Sequence, residues 1–147
     1  MIEAIIFDWI GTLYQFGGKG LFSYSERVLT KLKEKGYKLA VISKALPEDI
    51  EERKKQIDEI RSYVDYILVD TEKTREQFLD CIKTLRTTPS KTLVVDDRSI
   101  RGIHIGNQIG CETAWIQNGK YSHEIPNDKT GFPKYLIDSV EDLLKTF

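Results

Sequence analysis

Cysteine, histidine and methionine are scarce in this chain of 147 residues, which holds two, two and one of them. Cys81 and Cys111 stand apart, without CxxC or metal-ligand spacing, so nothing supports a disulfide and buried free thiols are expected. No apolar run approaches the length needed to cross a membrane. The N-terminus lacks a basic segment, an apolar core and a cleavage site, so a cytoplasmic location with no membrane partner is expected. The formal net charge of -1 gives no global pull towards nucleic acid or an anionic membrane. Repeats, linkers and low-complexity tracts are absent too. What remains is enough chain for one ordinary domain with its own core, residues 1–147.

Short apolar, β-branched runs alternate with helical patterns along that length. The runs are Ala4–Trp9, Lys38–Ser43, Tyr66–Asp70, Thr92–Asp96 and Thr113–Ile116, with a short sixth at Tyr135–Ile137. Between them, Tyr24–Lys35 places Val28, Leu29 and Leu32 on one helical face, and Gly36 follows as a stop. Pro47 opens a helix running towards Ile60, with acidic residues at its positive end. Thr74–Leu85 and Ser99–Ile109 predict two more helices, and Ser139 caps a last one. Strands that alternate with helices imply parallel pairing through right-handed crossovers. The expected fold is a single doubly wound, Rossmann-like α/β domain, a parallel sheet of about five strands with helices on both faces. Gln117–Pro133, rich in turn formers, is expected to be a surface loop.

In such sheets ligands bind outside the carboxyl ends of the strands. Asp8, Ser43, Asp70 and the adjacent Asp96 and Asp97 fall at those ends. Carboxylates brought side by side repel unless a cation joins them or a proton is shared. Oxygen-only donors with no His or Cys nearby suit Mg²⁺ better than zinc. Ser43 and Lys73 would then hold a phosphate beside the metal, and an aspartate could attack phosphorus as a nucleophile. Each residue alone has a plainer account: a turn former, a cap for the Pro47 helix, a solvated lysine. Asp96-Asp97 resists that account, because two adjacent carboxylates after LVV have no packing reason to be there. The order and spacing of the set carry the argument.

That order resembles the haloacid dehalogenase (HAD) superfamily over nearly the whole chain. IIFDWIGTL is similar to its first motif, Asp-x-Asp-Gly-Thr after an apolar strand. LAVISK, EKTREQF and LVVDDRSIRGIHIGNQIG resemble the second, third and fourth, with Gly106 and Gly110 at the last one's glycines. The resemblance implies a Mg²⁺-dependent phosphatase, with Asp8 as nucleophile and Ser43 and Lys73 completing the catalytic set. It implies metal ligation by Asp8, Asp96, Asp97 and the backbone carbonyl of Ile10, with Gly11, Thr12 and Lys44 towards the substrate. Gly11 also lets the chain turn sharply after the nucleophile.

Three departures qualify the resemblance. Ile10 stands where the family's phosphatases carry the Asp that protonates the leaving group and later activates water. Gly102 stands where a further acidic residue is usual, although the Asp96-Asp97 pair resembles a recognised variant. Lys44 stands where Asn is common. The spaces that hold cap domains in relatives are short here, so a capless, open site is expected, walled only by the Gln15–Gly20 flap and the Gln117–Pro133 loop. An open site suits a phosphorylated substrate that is macromolecular, or a cover supplied by a partner subunit. The competing class is a binding or regulatory domain that keeps the metal site without useful catalysis. A dehalogenase would need a large cap, and a phospho-accepting receiver domain would carry its acidic pair on the first strand. His104, His123 and the charged stretch Glu51–Lys55 are expected to be structural or solvated, and Trp9 and Trp115 to be core or rim aromatics.

Overall fold

The computed structural model describes residues Met1–Phe147. Six strands form one sheet: β1 (Ala4–Phe7), β2 (Lys38–Lys44), β3 (Tyr66–Asp70), β4 (Thr92–Asp96), β5 (Glu112–Ile116) and β6 (Tyr135–Ile137). Their order is β3-β2-β1-β4-β5-β6, and every neighbouring pair is parallel. The order reverses at β1, which lies between β2 and β4 in register: Phe7 is paired with both Val41 and Val95. The crevice of this open sheet therefore opens above the ends of β1 and β4. The short sixth run, Tyr135–Ile137, is a strand, and as an edge beside β5 it makes the sheet six-stranded rather than about five.

The period of two in the strands divides the core between the two faces of the sheet. Ile5, Phe7, Leu39, Val41, Leu93 and Val95 join one cluster with α1 (Ser25–Glu34), the end of α2 (Ile50–Asp58) and the Val140–Lys145 turn. Ala4, Ile6, Ala40, Ile42 and Val94 join the other with α3 (Arg75–Thr84) and α4 (His104–Ile109). Helices thus cover both faces, as doubly wound topology requires. On α3, Phe78, Cys81 and Ile82 face the sheet, while Leu79 is 40% exposed. The connection from β1 to β2 holds a turn at Phe16–Gly18 and α1; that from β2 to β3 holds α2 and short 3-10 turns.

Two helices differ from the pattern in a way that matters for the site. Ser99–Ile109 is not one α-helix: Ser99–Ile103 forms a π turn before α4 begins. The Gly102 amide inside that turn donates to Asp96 Oδ2 at 2.9 Å. A wider turn leaves this amide for a side-chain acceptor, and such turns recur at functional sites. The last helix is a 3-10 turn, with Ser139 capping it by accepting from the Glu141 amide. Trp9 lies just past the end of β1 rather than within it.

Candidate active site

At Asp8 the chain leaves β1 and turns back on itself. The Asp8 amide still donates to Val95 O at 3.0 Å, so the residue remains tied to the β4 edge. The amides of Thr12, Leu13 and Tyr14 then converge on the Trp9 carbonyl. Gly11 makes the turn with φ +85°, a left-handed value that glycine adopts at little cost. A Cβ there would lie 2.3 Å from Asp97 Oδ2 and 2.8 Å from the Phe16 ring. Glycine at position 11 is thus required twice, by dihedral and by space.

Asp8, Asp96 and Asp97 converge beyond the strand ends, with one carboxylate oxygen from each within 4.8 Å of the others. Lys73, from the segment preceding α3, reaches two of them. Its Nζ donates to Asp8 Oδ1 at 2.7 Å and to Asp96 Oδ2 at 3.3 Å, and its side chain is only 4% exposed. Both oxygens of Asp96 are engaged: Lys73 and the Gly102 amide hold Oδ2, and the Arg98 amide holds Oδ1 at 3.0 Å. Gly102, the position without an acid, has no room for one, since a Cβ would meet Asp96 Oδ2 at 2.4 Å. Thr12 is buried and its hydroxyl lies 3.4 Å from Asp8 Oδ2. Neither Gly11 nor Thr12 lines the cleft above.

Asp97 is the exception. It is 1% exposed, yet neither carboxylate oxygen has a hydrogen-bond partner. Its backbone is fixed by the Trp115 indole, which donates to the Asp97 carbonyl at 3.0 Å. Buried polar atoms are almost always paired, so two orphaned oxygens on one carboxylate point to a missing partner. Three carboxylates here face a single ammonium. Their all-oxygen donor set, with no His or Cys, is of the kind that hard divalent cations take. The residues present therefore fit Mg²⁺.

The titration of these groups follows from that crowding. Burial alone would push the Asp8 carboxyl up, but the Lys73 ammonium outweighs it and holds the group below its ordinary value. Burial would likewise lower Lys73, and the Asp8 and Asp96 charges raise it instead. Asp96 is raised by burial and by Asp8. Burial, then the Asp8 and Asp96 charges, push Asp97 up to about 10. Asp8 is thus kept as a carboxylate while Asp97 waits for a proton or a cation.

Above this floor lies a cleft of about 250 Å³. Asp8, Ile10 and Asp97 form part of its lining, and Lys44, Arg53, Arg101 and Lys120 surround it with positive charge. Phe16 from the flap and Tyr121 from the long loop meet with ring centroids 6.1 Å apart. The expected walls are present, but they are not the only ones: Arg53 of α2 and Arg101 of the π turn close two further sides. Ser43 is buried at 1%, and its hydroxyl accepts from Arg53 Nη1 at 2.7 Å. It is therefore not the cap of the Pro47 helix, whose first turn has no side-chain cap. Arg53 was hidden from the sequence pattern inside a stretch of alternating charge; only its spacing of ten residues from Ser43 on a neighbouring helix hints at the contact. Asp70 turns away, accepting from the Thr71 amide and from Gln77 Nε2.

A family model described as haloacid dehalogenase-like hydrolase matches residues 19–116. The chain belongs to this family. The matched span holds Ser43, Lys73, Asp96 and Asp97, while Asp8 lies before it and joins them through the sheet. Among solved structures, an uncharacterized protein from Listeria monocytogenes serotype 4b is similar over 99% of this chain and 100% of its own, with 18% identity and TM-score 0.77. A HAD phosphatase from Thermococcus onnurineus matches 85% of this chain with 21% identity and TM-score 0.67, and this chain spans 57% of that protein. YfnB from Bacillus subtilis, in a magnesium-bound form, matches 87% of this chain and 56% of its own, with 18% identity and TM-score 0.70. No curated protein matches the sequence. At these identities the likeness is one of fold, and the HAD fold covers the chain. No helix is long and apolar enough to cross a membrane.

Proposed function

We propose that this HAD-like chain is a single capless domain that hydrolyses phosphate monoesters or acyl phosphates through an aspartyl-phosphate on Asp8. One observation carries the reading: Asp8 is held ionised by Lys73 at the floor of a cation-lined cleft, beside a carboxylate whose oxygens have no partner. Asp8 and Asp97 would hold Mg²⁺, and Asp96 would fix Lys73 between itself and Asp8. When bound, the ion neutralises the paired carboxylates and the phosphoryl oxygens, so that an anionic nucleophile can approach an anionic substrate.

The chain's own residues do the rest. An Asp8 oxygen attacks phosphorus, the P–O bond to the leaving group breaks, and the leaving oxygen carries away the electron pair. Ser43 and Lys73 orient the phosphoryl oxygens, and Lys73 offsets their charge. Water then attacks the aspartyl-phosphate, releasing phosphate and restoring Asp8. Ile10 has no proton to give in the first step and cannot take one from water in the second. Acid–base help of about a hundred- to ten-thousand-fold is therefore forgone, and leaving groups of low basicity are favoured. A cleft of about 250 Å³ with walls on several sides suits a small phosphorylated molecule.

The apolar Ile10 also supports a second reading, a domain that binds metal and phosphate without useful turnover. Turnover of an aryl phosphate with Mg²⁺ separates the two. Hydrolysis by the native protein that disappears in Asp8→Asn is the expected result. Joint binding of Mg²⁺ and fluoroberyllate without any hydrolysis would give the second reading the lead.

A further inference from the structure

Arg53 is a half-buried guanidinium for which no carboxylate lies within ion-pair distance. The same holds for Lys44 and Arg101 beside it, whereas Arg98, at the far wall, is matched by Glu124 at 2.7 Å. Arg53 is fixed on one side only: Nη1 donates to Ser43 Oγ at 2.7 Å and to the Lys44 carbonyl at 2.8 Å. Burial lowers its pKa, and the charges of Asp8 and Asp49 offset this only in part. Holding an arginine out of water without an anionic partner is unfavourable unless a ligand supplies one.

The space around it shows where that ligand would lie. Lys44, Arg53 and Arg101 line the cleft over Asp8, and the same three line an adjoining basin of about 310 Å³ walled by Leu46, Pro47 and Thr71, where they outnumber its single acid, Asp49. They form a cationic partition between the place of the scissile phosphate and a second compartment. With Mg²⁺ seated, the floor charges of Asp8, Asp96, Asp97 and Lys73 cancel. A lone phosphoryl group would then face more cations than it can match, three of which also line the compartment next door.

We propose that the substrate carries a second anionic group, a carboxylate or a phosphate on its leaving-group side, received by Arg53 with Lys44 and Arg101. The proposal rests on the hydrolase reading for the word substrate, but its test reads binding alone. Arg53 has a planar fork suited to such oxyanions and is already oriented by Ser43, so little freedom is lost on binding. It acts as a specificity residue and takes no part in bond making.

The test uses non-hydrolysable probes of matched length with Mg²⁺-loaded full-length protein: propylphosphonate, 3-phosphonopropanoate and ethane-1,2-diphosphonate. Calorimetric titration should show one or both doubly anionic probes binding at least about tenfold tighter than propylphosphonate, as a charge-assisted hydrogen bond supplies. Whichever is preferred identifies the second group as carboxylate or phosphate. Arg53→Gln should collapse that ratio towards one, whatever it does to each affinity, and Arg53→Lys should recover part of it. Lys129→Gln, the same charge change outside both basins, should keep the ratio and so exclude a general field effect. Equal binding of all three probes, no binding of any, or a ratio that survives Arg53→Gln would overturn the proposal. Absence of aryl phosphate hydrolysis, measured separately, would instead overturn the hydrolase reading and leave the binding ratio readable.

Discussion

Ile10 lines the cleft beside Asp8 and Asp97, where a leaving oxygen would depart, and it brings neither a proton nor a base. Alkyl phosphates leave as strong bases and lose most from this; aryl and acyl phosphates lose least. Ile10→Asp should raise turnover of an alkyl phosphate by about ten- to a thousand-fold and help an aryl phosphate less, with kcat for each as the readout. Equal native rates on both would show that another group supplies the proton. Gly11 is constrained more tightly. Gly11→Ala forces a left-handed backbone and places a methyl 2.3 Å from Asp97 Oδ2, so it should destabilise the fold by about 1–3 kcal/mol and weaken Mg²⁺ binding. Unchanged denaturation and metal affinity would contradict that account. At this scale Asp8, Ser43, Lys73, Asp96 and Asp97 were legible because strand ends and motif order place them. Arg53 and Trp115 were not: one is a charge among charges on a short helix, the other an aromatic in a buried strand. Only packing reveals that they hold Ser43 and the Asp97 backbone.

Lys73 owes its position to the start of α3. Thr74 caps that helix: its hydroxyl accepts from the Gln77 amide at 3.2 Å, and Gln77 Oε1 accepts from the Thr74 amide at 2.9 Å. Gln77 Nε2 also donates to Asp70 Oδ2 at 3.0 Å, tying the cap to the end of β3. The reciprocal cap thus fixes the residue next to Lys73 on both sides. Thr74→Ala should cost about 0.5–2 kcal/mol in urea denaturation and lower turnover, while Thr74→Ser should retain both. Loss of stability in Thr74→Ala with full turnover would mean that Lys73 is held by its carboxylates alone. The strands and the frame of the helices were readable, since a period of two in AIIF and of 3.6 in α1 each bury one face. The π turn was not. Ser99–Ile109 has an ordinary helical pattern, and its first turn is a π turn whose Gly102 amide goes to Asp96, a contact between residues on different elements.

Across the whole molecule, the open parallel sheet brings acidic strand ends together and leaves their repulsion to be relieved by a ligand. Asp97 makes this measurable. Unfolded, its carboxyl loses its proton near pH 4, as any aspartate does. Folded and free of metal, it keeps the proton until about pH 10. Between those values the native state binds the extra proton, so stability must fall as pH rises through the window, by at most about 1.4 kcal/mol per pH unit. Asp8 works in the opposite direction and elsewhere: its depressed value gives stability that is present at neutral pH and lost only as pH falls into the acid range. On the proposed reading Mg²⁺ would replace the proton on the crowded carboxylates, and an ion that binds only the native state would raise apparent stability. In chelator, the melting temperature should therefore decline steadily from about pH 5 to about pH 9; with saturating Mg²⁺ the decline should flatten and the curve should lie higher, most of all at alkaline pH. Asp97→Asn should flatten the chelator curve without metal and remove most of the Mg²⁺ shift. A native protein whose metal-free melting temperature does not respond to pH across this range, or an Asp97→Asn variant that keeps the full Mg²⁺ shift, would show that the orphaned carboxylate is not where the cation binds.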